Sequence, residues 1–151
     1  MPLNQQTSQS GFTLLEVMIA VLILGIGLLG LAHLQITSLK HNQSAEFRSQ
    51  ASVLAADMLD RMRANRFAAQ NGNYAIAIDA DPPNSTDTIA DADIAQWLQQ
   101  ITAVLPQGDG EISCNAFDPD EPFICDVTVS WTEIQEDDDL GTTQFAYSGA
   151  L

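Results

Sequence analysis

The longest apolar run of the chain lies near its N-terminus. Residues 17–32 (VMIAVLILGIGLLGLA) carry no polar side chain, and extending the run back to Phe12 gives 21 residues interrupted only by Thr13 and Glu16. A helix of about 20 residues spans the ~30 Å hydrocarbon core of a bilayer, so the pattern predicts a membrane-spanning helix over residues 12–32. A secretory signal peptide is the competing interpretation. The run is longer than the apolar part of such a peptide, no A-x-A-like cleavage site closes it, and no Lys or Arg precedes it.

The sequence after this run continues the helical pattern, because no Pro or Gly interrupts it before residue 70. Apolar residues recur here at spacings of four, three, four and four, which corresponds to one face of a helix. We therefore predict one helix over about residues 13–68, whose second half, residues 33–68, is amphipathic and packs on a globular head. The apolar positions of that face are Phe47, Ala51, Leu54, Met58 and Met62.

Turn-forming residues separate the long helix from a shorter one. Residues 71–93 are rich in Asn, Asp, Ser, Thr and Pro and show little periodicity, which predicts a surface loop. The next segment, DADIAQWLQQITAVLP, has its apolar side chains on one helical face, with Asp91 or Asp93 as the N-cap. Pro106 and Gly108 are expected to end this helix.

Three C-terminal segments have the alternation of β-strands. CDVTVSWTEI is the clearest, GDGEISCNA is its candidate partner, and TTQFAYSGAL is a weaker third. A small antiparallel sheet packed on the amphipathic half of the long helix covers both apolar faces. The predicted fold class is therefore α+β, with a long N-terminal α-helix packed on a small antiparallel β-sheet head. The side chains of the clearest strand that share one face are Cys125, Val127, Val129 and Trp131.

Charge divides the chain in the same place as hydropathy does. Residues 1–66 hold all five basic side chains and four acids, whereas residues 67–151 hold sixteen acids and no Lys or Arg. The predicted head, residues 69–151, is therefore strongly acidic. Because a nucleic-acid-binding domain needs basic groups against the phosphates, this composition argues against nucleic acid as a partner, and we expect none.

Glu16 is the one carboxylate inside the apolar run. A carboxylate at the centre of a bilayer costs about 2.5–3.5 kcal/mol on insertion scales, which makes such a residue a functional candidate by default. A position close enough to the membrane surface to reach water is the alternative, and Glu16 then needs no partner.

The residues around Glu16 resemble a specific signal. Ser10-Gly11-Phe12-Thr13-Leu14-Leu15-Glu16, followed by an apolar run and a long amphipathic helix, resembles a class III (type IV prepilin) leader. The resemblance implies that residues 1–11 are the leader peptide, that a prepilin peptidase cuts between Gly11 and Phe12, and that the new amino group of Phe12 is methylated. It also gives Glu16 an assembly role, in which the amine of a neighbouring subunit neutralises its carboxylate. The segment departs from family leaders in having no Lys or Arg before the glycine.

A wider resemblance, strong over residues 11–66 and loose over residues 94–133, is to the PilV-type minor pilins, also called type IV pilus modification proteins. The resemblance rests on GIGLLGLAHLQ, AADMLDRMRANR, the spacing of Trp97, Leu98, Leu105, Pro106 and Gly108, and VTVSW.

This resemblance implies a type IV pilin-like fold and a minor subunit that helps to prime pilus assembly. Its implied partners are the prepilin peptidase, other minor pilins, the major pilin and a tip adhesin. It places the chain in the inner membrane with a periplasmic head, and later in the surface pilus. Two alternatives stay open: a minor pseudopilin of type II secretion, and a single-pass membrane-anchored module whose acidic head binds a ligand.

The two cysteines, Cys114 and Cys125, lie between two candidate strands in the half expected to be exported. In an oxidising compartment they would form a disulfide that closes a short loop. The alternative is a pair of free buried thiols. Two cysteines are too few for a structural zinc site.

Other motifs offer weaker chemistry. Gly25, Gly27 and Gly30 spell G-x-G-x-x-G, but no strand precedes them, and helix packing explains them better than a dinucleotide site does. The acidic clusters, at residues 118–121 and 136–139, do not fit the EF-hand pattern, although a looser calcium site stays open.

A catalytic site is not expected. The chain has only His33 and His41, and the predicted head has no Lys, Arg or His with which to stabilise a developing negative charge. We therefore expect no enzyme, no cofactor and no dedicated metal site.

Overall fold

The computed structural model describes residues 11–135 and 139–151. The chain divides into two compact units, one ending at His41 and the other comprising Asn42–Leu151. The elements are α1 (Leu14–Ala64), α2 (Arg66–Gln70), α3 (Ile89–Val104), β1 (Asp109–Cys114), β2 (Ile124–Ile134) and β3 (Leu140–Ala150).

The first unit contains the apolar part of α1. From residue 14 to residue 36 every side chain is exposed, and by length and composition this segment can cross a membrane. A helix that is apolar on all sides is stable only when lipid or other protein surrounds it.

In the second unit, α1 is amphipathic as predicted. Phe47 and Leu54 are partly buried against the core, and Arg61 forms an ion pair with Asp57 at 2.8 Å, one turn earlier. Two alanines among the buried residues leave room for neighbouring elements to approach the helix closely. The fully buried residues of this face are Ala51, Ala55, Met58, Leu59 and Met62.

The prediction that the long helix continues to about residue 68 is wrong, because α1 ends at Ala64. Asn65 has φ −118° and ψ 46°, outside the helical region, and α2 starts directly after it. The Asn65 side-chain amide donates to the Tyr74 hydroxyl at 3.1 Å. Asn readily leaves the helical conformation when its side chain finds such a partner, so a tertiary contact ends a helix that no Pro or Gly interrupts.

The segment before α3 is more ordered than the predicted loop over residues 71–93. Tyr74 is fully buried, and Ile76 exchanges two backbone hydrogen bonds with Ile112 of β1, at 3.1 and 2.9 Å. The loop also ends earlier than expected, because α3 begins at Ile89.

The predicted N-cap of α3, Asp91 or Asp93, is wrong. Thr88 is the cap: its backbone is extended and its hydroxyl oxygen accepts a hydrogen bond from the Asp91 N–H at 3.1 Å. The same hydroxyl donates to the Asp91 carboxylate at 2.6 Å. Threonine followed three residues later by an acid is a variant of the capping box, and Asp93 is free to bind elsewhere.

The three strands form one antiparallel sheet in the order β1-β2-β3. The central strand has the predicted inward face, since Cys125, Val127, Val129 and Trp131 are all fully buried. Trp97 of α3 lies in the same core and donates from Nε1 to the Leu54 carbonyl at 3.0 Å, which ties α3 to α1. The predicted α+β fold, a long N-terminal helix packed on a small antiparallel sheet, is confirmed.

Candidate functional site

The bond between Gly11 and Phe12 lies in an exposed, non-helical segment. Residues 11–13 are outside α1, and the Phe12 side chain is 85% exposed. A Cβ placed on Gly11 would meet no atom within 4 Å. The bond is therefore accessible to an enzyme that binds it in extended form.

Thr13 fixes where the helix begins. Its hydroxyl oxygen accepts a hydrogen bond from the Glu16 N–H at 3.2 Å, and its carbonyl oxygen accepts from the same group at 3.1 Å. The residues Thr13-Leu14-Leu15-Glu16 thus match the T-x-x-E pattern of a capping box. The capping pattern can be read from the sequence. The prediction of a helix from about residue 13 rested on hydropathy instead and did not use this pattern.

Glu16 occupies the first turn of α1, and its side chain is exposed. The unpaired N–H groups at a helix N-terminus carry partial positive charge, which favours a carboxylate at this position. The cap at Thr13 therefore holds Glu16 in the first turn of the helix, three residues after the point where the chain leaves the helical conformation.

The helix surface that follows consists of apolar side chains on every side. All the large hydrophobic residues between Leu14 and Leu31 are exposed in the isolated chain. Gly25, Gly27 and Gly30 lie within α1, and a Cβ at any of them would meet no atom within 4 Å. A continuous helix is not the strand-turn-helix context of a dinucleotide site, whereas glycines on an apolar helix allow close approach of another helix.

Comparison with known families agrees with this arrangement. Residues 6–32 match the family described as the prokaryotic N-terminal methylation motif. This motif supports a type IV pilin-type protein. No curated protein matches the chain, and no solved structure matches it. The match covers the N-terminal segment around Gly11, Phe12 and Glu16 and the apolar run that follows.

The head carries the disulfide that the sequence suggested. Cys114 and Cys125 are bonded to each other and face each other across β1 and β2. The loop they close contains Phe117, whose ring packs edge-on against Phe123 with centroids 6.1 Å apart. The bond thus fixes the loop to the central strand.

Removing the disulfide is expected to destabilise the head. A double Cys114→Ala and Cys125→Ala variant should lose about 3 kcal/mol of unfolding free energy, because the unfolded chain is no longer constrained by the closed loop. Urea unfolding of the full chain in non-ionic micelles, followed by tryptophan fluorescence, measures the loss. Reductant should lower the urea concentration at which half of the parent is unfolded and should leave that of the double variant unchanged. Equal unfolding midpoints for all samples would contradict the prediction.

A partly buried polar network joins the end of α1 to α3, with Tyr74 as its buried member. The Tyr74 hydroxyl donates to Asp93 at 2.7 Å and accepts from Asn65 at 3.1 Å. Arg61 reaches the same Asp93 carboxylate at 3.4 Å and the Gln96 side chain at 2.7 Å. Burial, together with the hydrogen bond to the Asp93 carboxylate, raises the pKa of Tyr74 to about 12. No sequence motif indicates this network, because its members are far apart along the chain.

The raised pKa makes stability depend on pH in the alkaline range. Because the Tyr74 pKa is higher in the folded state than the ordinary value of 10.0, its contribution is complete below pH 10 and disappears as the pH rises towards 12. We expect the free energy of unfolding to fall by about 1.4 kcal/mol per pH unit in that interval. Tyr74→Phe should lose about 2 kcal/mol at neutral pH.

Urea titrations at several pH values between 9 and 12 check this expectation as the difference between variant and parent. Tyr147→Phe is the matched control, since the Tyr147 side chain is 42% exposed. In the Tyr147→Phe variant, the free energy of unfolding should fall with pH between 10 and 12 as steeply as it does in the parent. An equally steep fall in the Tyr74→Phe variant would contradict the assignment of this pH dependence to Tyr74.

The remaining candidates do not assemble into a site. Within residues 11–135 and 139–151, no cluster of three or more His, Cys, Asp or Glu side chains could hold a metal ion. In the first acidic cluster the Asp118 carboxylate accepts from the Asp120 N–H at 2.9 Å, closing a local turn. Three members of the second cluster, residues 136–138, lie outside the described residues. His33 and His41 both lie on α1 in the first unit.

Proposed function

We propose that this protein is a minor pilin of the PilV type, which a prepilin peptidase processes and which then enters the type IV pilus and helps to prime its assembly. The observation that carries the proposal is the methylation motif over residues 6–32, with its Gly11–Phe12 bond exposed directly before a capped helix. An apolar helix surface and a small α+β head on the same chain support it.

Processing at Gly11 has two chemical consequences. Hydrolysis of the Gly11–Phe12 bond removes eleven residues and frees the amino group of Phe12, which is then methylated. The new terminus is a cation four residues before Glu16. A carboxylate in the membrane is costly unless it is paired, so the Glu16 side chain favours a position where it meets the Phe12 amine of a neighbouring subunit. This pairing selects one axial arrangement of the helices.

The apolar surface of α1 then has two successive environments. Before assembly the segment up to residue 32 lies in the inner membrane, with the acidic head in the periplasm. After assembly the helices of neighbouring subunits replace the lipid around the same side chains. Gly25, Gly27 and Gly30 allow helix backbones to approach each other there. Because the proposal places the chain in a pilus, its proposed partners are other minor pilins, the major pilin and, at the pilus tip, an adhesin.

A minor pseudopilin of type II secretion is the second candidate, because the methylation motif is equally consistent with a pseudopilin. Both share the leader, the processing step and the helix. They differ in the subunits that assemble with this chain, so co-isolation with pilus subunits or with secretion subunits separates them. A membrane-anchored binding module, the third candidate, needs no processing.

The mass of the N-terminal peptide is the experiment that tests the proposal. The protein is isolated from sheared surface filaments and from membranes, and each N-terminus is identified by mass spectrometry. A chain that starts at N-methylated Phe12 and occurs in the filaments is expected. Recovery of uncut chain from membranes only would overturn the proposal and favour the anchored binding module.

A further inference from the structure

β3 is one of the two outer strands of the sheet. It pairs with β2 in an unbroken register from Ile134↔Leu140 to Ile124↔Ala150. The sheet order β1-β2-β3 leaves its other edge without a strand in the described part of the chain.

Two hydrogen bonds at the ends of this ladder fix which backbone groups point outward. Gln135 N–H donates to the Asp139 carbonyl at 2.8 Å, and Leu151 N–H donates to the Phe123 carbonyl at 2.9 Å. Because bonded pairs alternate along an antiparallel ladder, the odd-numbered residues of β3 bond to β2. The even-numbered residues therefore present their N–H and C=O groups to the open edge: Thr142, Gln144, Ala146 and Ser148.

The open edge ends at Ala150. The Arg63 guanidinium donates to the Ala150 carbonyl from two nitrogens, both at 3.4 Å, so this outward group already has a partner. Among the described residues, no hydrogen bond reaches the outward backbone groups between Thr142 and Ser148. Four residues with free donors and acceptors at alternate positions correspond to one short strand.

The edge also lacks the features that normally prevent strand pairing. Natural edge strands carry charges, proline or a bulge, or they are short. β3 has eleven residues, an unbroken register, no proline and no charged side chain. On its core-facing side Phe145 is only partly buried and Tyr147 is 42% exposed. A further strand would cover both rings.

We propose that this edge accepts an extended cationic strand of another protein. The backbone groups specify an extended segment, and the exposed rings specify apolar side chains on its core-facing side. The charge of the head specifies a cationic strand, because residues 67–151 hold sixteen acids and no Lys or Arg. One of these acids, Asp126, is hydrogen-bonded to Ser148 and lies on the outer face beside the edge. A second copy of the chain would bring an equally acidic head. The proposal concerns the head alone and does not depend on processing at Gly11.

The test uses the full chain in non-ionic micelles and a labelled nine-residue peptide of alternating valine and lysine, with binding followed by fluorescence anisotropy. Two further peptides carry N-methyl groups on the valine amides or on the lysine amides. Because only alternate amides of an added strand face β3, one methylated peptide should bind at least tenfold more weakly and the other about as well as the parent. Equal binding of all three would overturn the proposal in favour of charge attraction alone.

Two variants test the edge from the protein side. Ala146→Pro removes an outward N–H without removing a bond to β2 and should weaken peptide binding at least tenfold, whereas Ala146→Ser should bind as the parent does. Tryptophan fluorescence checks that each variant is folded. Absence of peptide binding by the parent overturns the proposal, and so does a parent dimer that Ala146→Pro dissociates, since the edge then binds a second copy.

Discussion

Replacing Gly11 with valine is expected to leave the chain uncut and absent from filaments. The structure leaves open space around Gly11, so the added side chain disturbs no contact within the protein. Any loss of cutting is then attributable to the proposed peptidase, which in this proposal binds Gly11 beside the bond that it hydrolyses. We expect the cut fraction to fall at least a hundredfold, measured from the N-terminal peptides of membrane and filament samples.

Gly30→Val is the matched control, because a Cβ at Gly30 also meets no atom within 4 Å. Gly30 lies inside α1, away from the proposed cleavage site in the sequence, so this variant should still start at Phe12. A Gly11→Val chain that also starts at N-methylated Phe12 would contradict the assignment of Gly11 as the processing site.

Replacing Gly110 with alanine is expected to destabilise the head by about 3 kcal/mol. The added Cβ would lie 2.4 Å from two ring atoms of Trp97 and 3.0 Å from the Ile101 side chain. Trp97 cannot yield easily, because it is fully buried and its Nε1 donates to the Leu54 carbonyl. The new methyl group must therefore push β1 away from α3 or break that hydrogen bond.

Gly141→Ala in β3 provides the comparison. The atoms nearest to its Cβ would belong to the Gln135 side chain, at 2.7 Å, and that exposed side chain can rotate away at the cost of a 3.3 Å hydrogen bond to the Thr143 hydroxyl. We expect a change within about 0.5 kcal/mol. Urea unfolding followed by tryptophan fluorescence reports on the head, because both tryptophans, Trp97 and Trp131, lie in its core. Similar losses in the two variants would show that the contact with Trp97 is not the cause.

The elements that follow from local pattern were predictable from the sequence. The spacing of Phe47, Met58 and Met62 predicted the buried face of α1, and the alternation around Val127 and Val129 predicted the central strand. Such periodicities arise because a helix and a strand each repeat their facing side chains at fixed intervals. The methylation motif is local in the same sense, since it lies within one short stretch of chain.

Local pattern failed where a distant residue decides the backbone. Asn65 ends α1 because its side-chain amide donates a hydrogen bond to the Tyr74 hydroxyl. The sequence has no Pro or Gly at this point that would predict the end of the helix. The N-cap of α3 was assigned to an acid, although Thr88 holds that position and Asp93 instead accepts from Tyr74. Asn and Asp side chains can form hydrogen bonds with several nearby groups in the sequence. Which of these bonds forms depends on the contacts that the folded core provides.

By itself, the sequence determined the long helix, its apolar first half, the acidic head, the pairing strands and the methylation motif over residues 6–32, because each depends on spacing along one stretch of chain. The tertiary structure alone decided the Tyr74 network and the open edge of β3. These depend on which elements become neighbours and which backbone groups are left without one. The edge between Thr142 and Ser148 is open because no further strand of the described chain lies beyond β3, and it ends at Ala150, whose outward carbonyl accepts from Arg63.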